Sequence, residues 1–121
     1  MGHTKDFGIL VKELQKVFSD FSYLGLGCSG GLDSMVLAEA LLEAKIPFRI
    51  LHFNHGWRGR QSDLDRDFVR KWSRARKISF TTKKWSRPKK TEEAAREARL
   101  CFFHDCAQRY QLQGILLAHH Q

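Results

Sequence analysis

One octet, Gly27-Cys28-Ser29-Gly30-Gly31-Leu32-Asp33-Ser34, constrains this chain more than any other stretch. It follows a short apolar run, Tyr23 to Leu26, and opens into another, Met35 to Leu42. Apolar strand, glycine-rich turn, then helix is the order in which backbone N–H groups can surround a phosphate. Two adjacent glycines let the main chain turn back and approach a ligand that a Cβ would hold off. A branched side chain at Gly30 or Gly31 is therefore expected to fill the phosphate volume. Ser29 and Ser34 add hydroxyls, and a helix beginning near Asp33 directs its positive dipole end into the turn. Successive N–H groups there, Leu32 included, form a concavity for anions, and the phosphate chain of ATP suits it.

The loop is not a Walker A loop, because no lysine follows its glycines. It is not a dinucleotide loop either, since Gly25, Gly27, Gly30 and Gly31 do not fit the G-x-G-x-x-G spacing. Asp33 stands where Walker A carries a base. An acid beside phosphates makes sense as a ligand of Mg²⁺, which prefers carboxylate and phosphate oxygens.

The rest of the chain alternates helices and strands. Phe7, Leu10, Val11, Leu14, Val17 and Phe18 recur at helical spacing and predict a helix over residues 5–19. Ser22 to Cys28 reads as the first strand, Ser34 to Ala44 as a largely buried helix, and Phe48 to Phe53 as the second strand. Ser62 is an expected N-cap. The helix it starts has Asp63, Asp65 and Asp67 early and Arg74, Arg76 and Lys77 late, which matches the helix dipole without a metal. Leu64, Phe68, Trp72 and Ala75 are its expected buried stripe. Ile78 to Thr82 follows as a strand, then a basic loop from Lys83 to Lys90. Thr91 caps a long helix with core positions Ala95, Ala98, Phe102, Cys106 and Tyr110. Gly114 ends it, and Ile115 to Ala118 starts a fourth strand leading to His119-His120-Gln121.

This alternation predicts an α/β fold, a parallel sheet with helices on both faces. Ligands in such sheets sit beyond the carboxyl ends of the strands. The glycine-rich turn, Asn54-His55, the basic loop and His119-His120 all follow strands, so they are expected along one edge. At 121 residues the chain holds one domain with a real core. A net charge of +8 favours polyanionic partners, with plain solubility as the alternative. Three cysteines argue against a disulfide framework and for a cytoplasmic setting; Cys101 and Cys106 read as core. No stretch approaches the roughly 20 apolar residues of a membrane span.

The fixed residues of the loop match S-G-G-x-D-S, the signature of the PP-loop ATP pyrophosphatases, so the fold resembles their Rossmann-like, adenine nucleotide α-hydrolase-like sheet. Further motifs narrow the resemblance. His52-Phe53-Asn54-His55-Gly56-Trp57-Arg58-Gly59 with Ser62-Asp63 is similar to the H-x-N-H-G-L-R-G and S-D pattern of the tRNA(Ile)-lysidine synthetase family. Glu92, Ala95-Arg96 and Arg99 resemble its E-x-x-A-R-x-x-R-Y helix, and Leu117-Ala118-His119-His120 its L-A-H-H turn. The resemblance implies a ligase that splits ATP between its α and β phosphates. The wobble cytidine oxygen of isoleucine tRNA attacks the α-phosphorus, pyrophosphate leaves, and the ε-amine of free lysine then displaces AMP. It implies nucleotide contacts at Ser29, Gly30, Gly31, Leu32, Asp33, Ser34, Phe53, Asn54, His55 and His119. Catalytic roles fall to Asp33, Arg96 and Arg99, with Mg²⁺ on Asp33.

Trp57 and Leu100 depart from the family's leucine and tyrosine. The family also continues past its paired histidines into an acidic D-D-Q-x-E-T segment and tRNA-binding domains. Residues 1–121 are therefore expected to be the N-terminal part of a PP-loop domain, incomplete at the C-terminus and inactive alone. The uncovered apolar flank leaves room for a homodimer. Two other readings stay open: a PP-loop tRNA thiolase, for which the chain lacks a C-x-x-C pair, and a non-catalytic nucleotide-binding module.

Overall fold

In the computed structural model, which describes residues 3–54, 60–85 and 91–118, four helices alternate with four strands. The order is α1 (His3–Val17), β1 (Leu24–Gly27), α2 (Leu32–Glu43), β2 (Phe48–Asn54), α3 (Arg60–Ala75), β3 (Ser79–Lys84), α4 (Glu92–Arg109) and β4 (Gly114–Leu117). The strands form one sheet in the order β3-β2-β1-β4, every neighbouring pair parallel. Leu26 of β1 lies opposite Ile50 of β2 on one side and Leu116 of β4 on the other. All four carboxyl ends therefore reach the same edge.

Helices cover both faces, as the alternation predicts. On one face, Leu14 of α1, Ala38 and Leu41 of α2, and Val69 and Trp72 of α3 close over Leu24, Leu26, Phe48 and Ile50. On the other, α4 presents Phe102, Phe103 and Cys106 to Leu51. Gly27 makes that second layer possible. A Cβ there would overlap Leu117 and come within 2.9 Å of the Phe103 ring, so only a glycine lets α4 approach β1 this closely.

Several local expectations change. Ser62 does not cap α3: the helix already starts at Arg60, and Ser62 is buried within its first turn. Its inner face carries Ser62, Val69, Trp72 and Ser73, while Leu64 and Phe68 are about half exposed and Ala75 is exposed. Ser73 tolerates burial because its hydroxyl donates to the Val69 carbonyl at 2.8 Å within the same helix. Trp72 spends its indole N–H on Glu39 of α2 at 2.9 Å. A buried serine satisfied by its own helix adds nothing to an apolar stripe, so periodicity points to the wrong face. Lys83 and Lys84 belong to β3, not to a loop; residues 86–90 lie outside the described residues. Cys106 is buried as expected, but Cys101 is exposed. Thr91 does cap α4, its Oγ1 accepting from the Ala94 N–H at 3.2 Å.

Candidate functional site

A cleft of about 990 Å³ opens at the carboxyl edge of the sheet. Its floor is the end of β1 and the loop Cys28 to Gly31, with Phe53 and Asn54 of β2 beside them. Ser62 and Asp65 of α3 form one wall. Glu92, Glu93, Arg96 and Arg99 of α4 form the opposite one, and Leu117 and Ala118 close the β4 side. Two of the four expected clusters, the glycine turn and Asn54, thus line the cleft through described residues. His55 and His119 lie outside the described residues.

The loop backbone is shaped by its two glycines in different ways. Gly30 has φ +90, a conformation that side chains with a Cβ avoid. A Cβ on it would meet Val69 Cγ2 at 3.4 Å and Asp65 at 3.5 Å, on α3 and not in phosphate space. The expectation that a Gly30 side chain fills the phosphate volume is corrected accordingly: this glycine serves the turn and its fit to α3. Gly31 is the N-cap of α2 with φ −73 and ψ 166, which any residue can adopt. Among the described residues only Ser29 Oγ, at 3.4 Å, stands within 4 Å of its missing Cβ.

Among the described residues no side chain caps the amino end of α2. Its first-turn N–H groups are left facing the glycine turn, with the dipole's positive end behind them. The contrast with α4, closed by Thr91, marks α2 as the end arranged for an outside anion. Ser29 is exposed and its Oγ accepts from the Gly31 N–H at 3.3 Å. Ser34 lines the cleft but is 4% exposed, and its hydroxyl donates to the Gly31 carbonyl at 3.0 Å. Cys28 packs behind the loop, its Sγ 3.4 Å from Ser34 Oγ, and burial pushes its thiol pKa up. Leu32 and Asp33 stand exposed on the first turn of α2, outside the cleft lining itself.

Aromatic rings support the second half of the cleft. Phe53 packs against Phe102 of α4 at 5.8 Å between ring centroids and against Trp85 at 6.2 Å. Arg96 and Arg99 are both exposed and one turn apart on α4, so two fixed positive charges face the uncapped end of α2. Asn54 is 2% exposed and its amide donates to Asp63 Oδ1 at 2.9 Å. That bond, then Lys84 and Arg66, hold the Asp63 carboxyl below the usual carboxylate range. Asp65 and Glu93 read from sequence as helix-end charges, whereas Ser62 and Glu92 also belong to the motifs that resemble the family's. Their place on the cleft wall follows from how α3 and α4 dock, which no spacing rule announces. Among the described residues no three His, Cys, Asp or Glu side chains are grouped to hold a metal. A single carboxylate on Asp33 beside phosphate oxygens still fits Mg²⁺, which keeps most of its shell as water and phosphate.

Residues 5–121 match the family described as the PP-loop domain. The chain is 37% identical over 95 residues to the tRNA(Ile)-lysidine synthase of Exiguobacterium sibiricum, covering 77% of this chain and 23% of that protein. It is 32% identical over 116 residues to the Parabacteroides distasonis tRNA(Ile)-lysidine synthase (90% and 26%). With that of Petrotoga mobilis it shares 35% over 116 residues (87% and 37%). The chain thus spans a quarter to about a third of these curated relatives' length. Among solved structures, an NMN synthetase from Francisella tularensis superposes with a TM-score of 0.54 at 20% identity, over 84% of this chain and 40% of that one. That likeness shows a shared fold.

Proposed function

The chain belongs to the PP-loop family, and on that premise we propose that it is the ATP-binding front of an enzyme that joins lysine to the wobble cytidine of isoleucine tRNA. One observation carries the reading: the uncapped amino end of α2, behind Gly30 and Gly31, opens into a cleft faced by Arg96 and Arg99. The lysidine synthases similar to this chain over most of its length support the substrate.

The residues divide the work as follows. The N–H groups of Gly31, Leu32 and Asp33, with Ser29, receive the β and γ phosphates, and their fixed dipoles stabilise the charge that gathers on departing pyrophosphate. Arg96 and Arg99 hold the α-phosphate and the incoming nucleotide in line. Phe53 offers a face for adenine, with His55 and His119 around the nucleoside and Asn54 at the cleft wall. The cytidine oxygen bonds to the α-phosphorus as the bond to pyrophosphate breaks. The lysine amine then bonds to the adenylated carbon, and AMP leaves. Asp33 would hold Mg²⁺, which supplies charge neutralisation at the phosphates. Residues 1–121 cover only part of such an enzyme, so recognition of lysine and docking of tRNA draw on further chain.

The test is mass spectrometry of unmodified isoleucine tRNA incubated with ATP-Mg, lysine and the full-length gene product. The expected result is a lysine added to one cytidine, with AMP and pyrophosphate released. A sulfur-sized mass gain in the presence of a sulfur donor would select the thiolase reading instead, and an unchanged tRNA would refute ligation.

A further inference from the structure

Asn54 and Asp63 do something together that neither does alone. Asn54 ends β2; its amide donates to Asp63 Oδ1 at 2.9 Å, and its main-chain carbonyl accepts from the Trp85 N–H at 2.8 Å. The same Asp63 oxygen accepts from Lys84 Nζ at 3.4 Å, at the end of β3, and from Arg66 Nη1 at 3.5 Å, on α3. One carboxylate thus fastens the ends of two strands to the first turn of a helix. Asp63 also lies between two cleft-lining residues, Ser62 and Asp65. Asp65, in the second turn of α3, stands 3.5 Å from where a Cβ on Gly30 would be, so this end of the helix backs onto the glycine loop.

We propose that Asn54 and Asp63 are positioning residues, whose hydrogen bond anchors the amino end of α3, so that Asp65 and Val69 behind it pack against Gly30 and set the back wall of the nucleotide cleft. The proposal rests on the reading of that cleft as an ATP site. A buried amide donating to a carboxylate makes a charge-assisted bond, which is stronger than one between neutral groups. The nine-residue separation of this asparagine and aspartate then has a physical reason: it spans from the last residue of β2 to the first turn of α3. Asn54 acts on the nucleotide through α3, with its amide directed at Asp63.

Calorimetric titration with ATP-Mg of the wild type, Asp63→Asn, Asn54→Asp and the exchanged pair Asn54→Asp/Asp63→Asn, from pH 8 to pH 5, tests this. Asp63→Asn keeps an oxygen that can accept but loses its charge, and is expected to bind about fivefold more weakly, the difference between a hydrogen bond to a charged group and one to a neutral group. Asn54→Asp sets two carboxyls within hydrogen-bond distance, amid Lys84 of β3 and Arg66, Asp65 and Asp67 of α3. It should bind poorly at pH 8 and recover towards pH 5, where one carboxyl takes a proton and becomes a donor. The exchanged pair keeps one donor and one acceptor with roles reversed, and should regain most of the affinity. General damage to the fold would be reversed neither by acid nor by exchange. Wild-type affinity in Asp63→Asn, or an exchanged pair no tighter than the weaker single variant, overturns the proposal. Asp63 is about a third exposed, so Asp63→Asn decides alone should Asn54→Asp not fold. A wild type that fails to bind ATP is a different result, and refutes the nucleotide reading of the cleft.

Discussion

The two loop glycines are expected to fail differently when each gains one methyl group. At Gly30 the cost is conformational. With φ +90 the backbone sits where a Cβ is strained, about 1–2 kcal/mol for alanine. The new methyl meets α3 at 3.4–3.5 Å, ordinary contact that adds little. A domain of this size loses about 4 °C of Tm per kcal/mol, so Gly30→Ala should melt about 4–8 °C lower. At Gly31 the backbone accepts alanine, and only the weaker cap costs stability, at most about 1 kcal/mol. Its methyl enters the open side, where the phosphate reading puts the ligand. Displacing one or two charge-assisted bonds there should weaken ATP on the order of 100-fold. Calorimetric melting and ATP titration on both variants read the two effects separately. A Gly31→Ala protein that is folded and binds ATP like the wild type refutes the cradle. A Gly30→Ala protein of unchanged Tm refutes the strained turn.

Phe103 is nearly buried between α4 and the sheet, and Phe103→Ala should cost about 3–4 kcal/mol, read by denaturant unfolding; a loss under 1 kcal/mol would mean α4 is not packed as described. Thiol labelling followed by mass spectrometry at pH 8 should modify Cys101 first, since Cys28 and Cys106 are buried with raised pKa values; early labelling of Cys28 would contradict the packing behind the loop. The Asp63 carboxyl titrates below its unfolded value, so its contribution to stability is complete above that value and disappears as pH falls through the folded pKa. Acid unfolding of the wild type should therefore steepen below about pH 4, and Asp63→Asn should lack that component; identical acid limbs would contradict the paired carboxylate.

What the sequence made legible was carried by backbone chemistry. Gly30 and Gly31, an apolar run before them and an apolar helix after them identify a strand–turn–helix without any tertiary contact. Thr91 with Glu92 and Glu93 announces a helix start for the same reason. The parallel sheet and its single working edge then follow from alternation alone. Legibility ended where burial depends on docking. α3 buries Ser62 and Ser73 and exposes Leu64 and Phe68; both serines are small, and the Ser73 hydroxyl is satisfied within its own helix. Cys101 precedes a buried Phe102 yet faces out, a difference of one helical step. Asn54 was legible as a site residue, but its partner nine positions away was not, since only the fold brings Asp63 beneath it.

The central claim is that the glycine loop and Asp33 receive Mg-bound ATP at the amino end of α2. Its most direct test is a calorimetric titration of ATP into the wild type and Asp33→Asn, each with Mg²⁺ and with EDTA. The isosteric amide keeps the shape of the exposed Asp33 side chain, and melting curves of both proteins are recorded alongside. The wild type should bind ATP more tightly with Mg²⁺, and Asp33→Asn should lose that gain while keeping the metal-free affinity. Equal affinity of the two proteins with Mg²⁺, or no binding by the wild type under either condition, would contradict it.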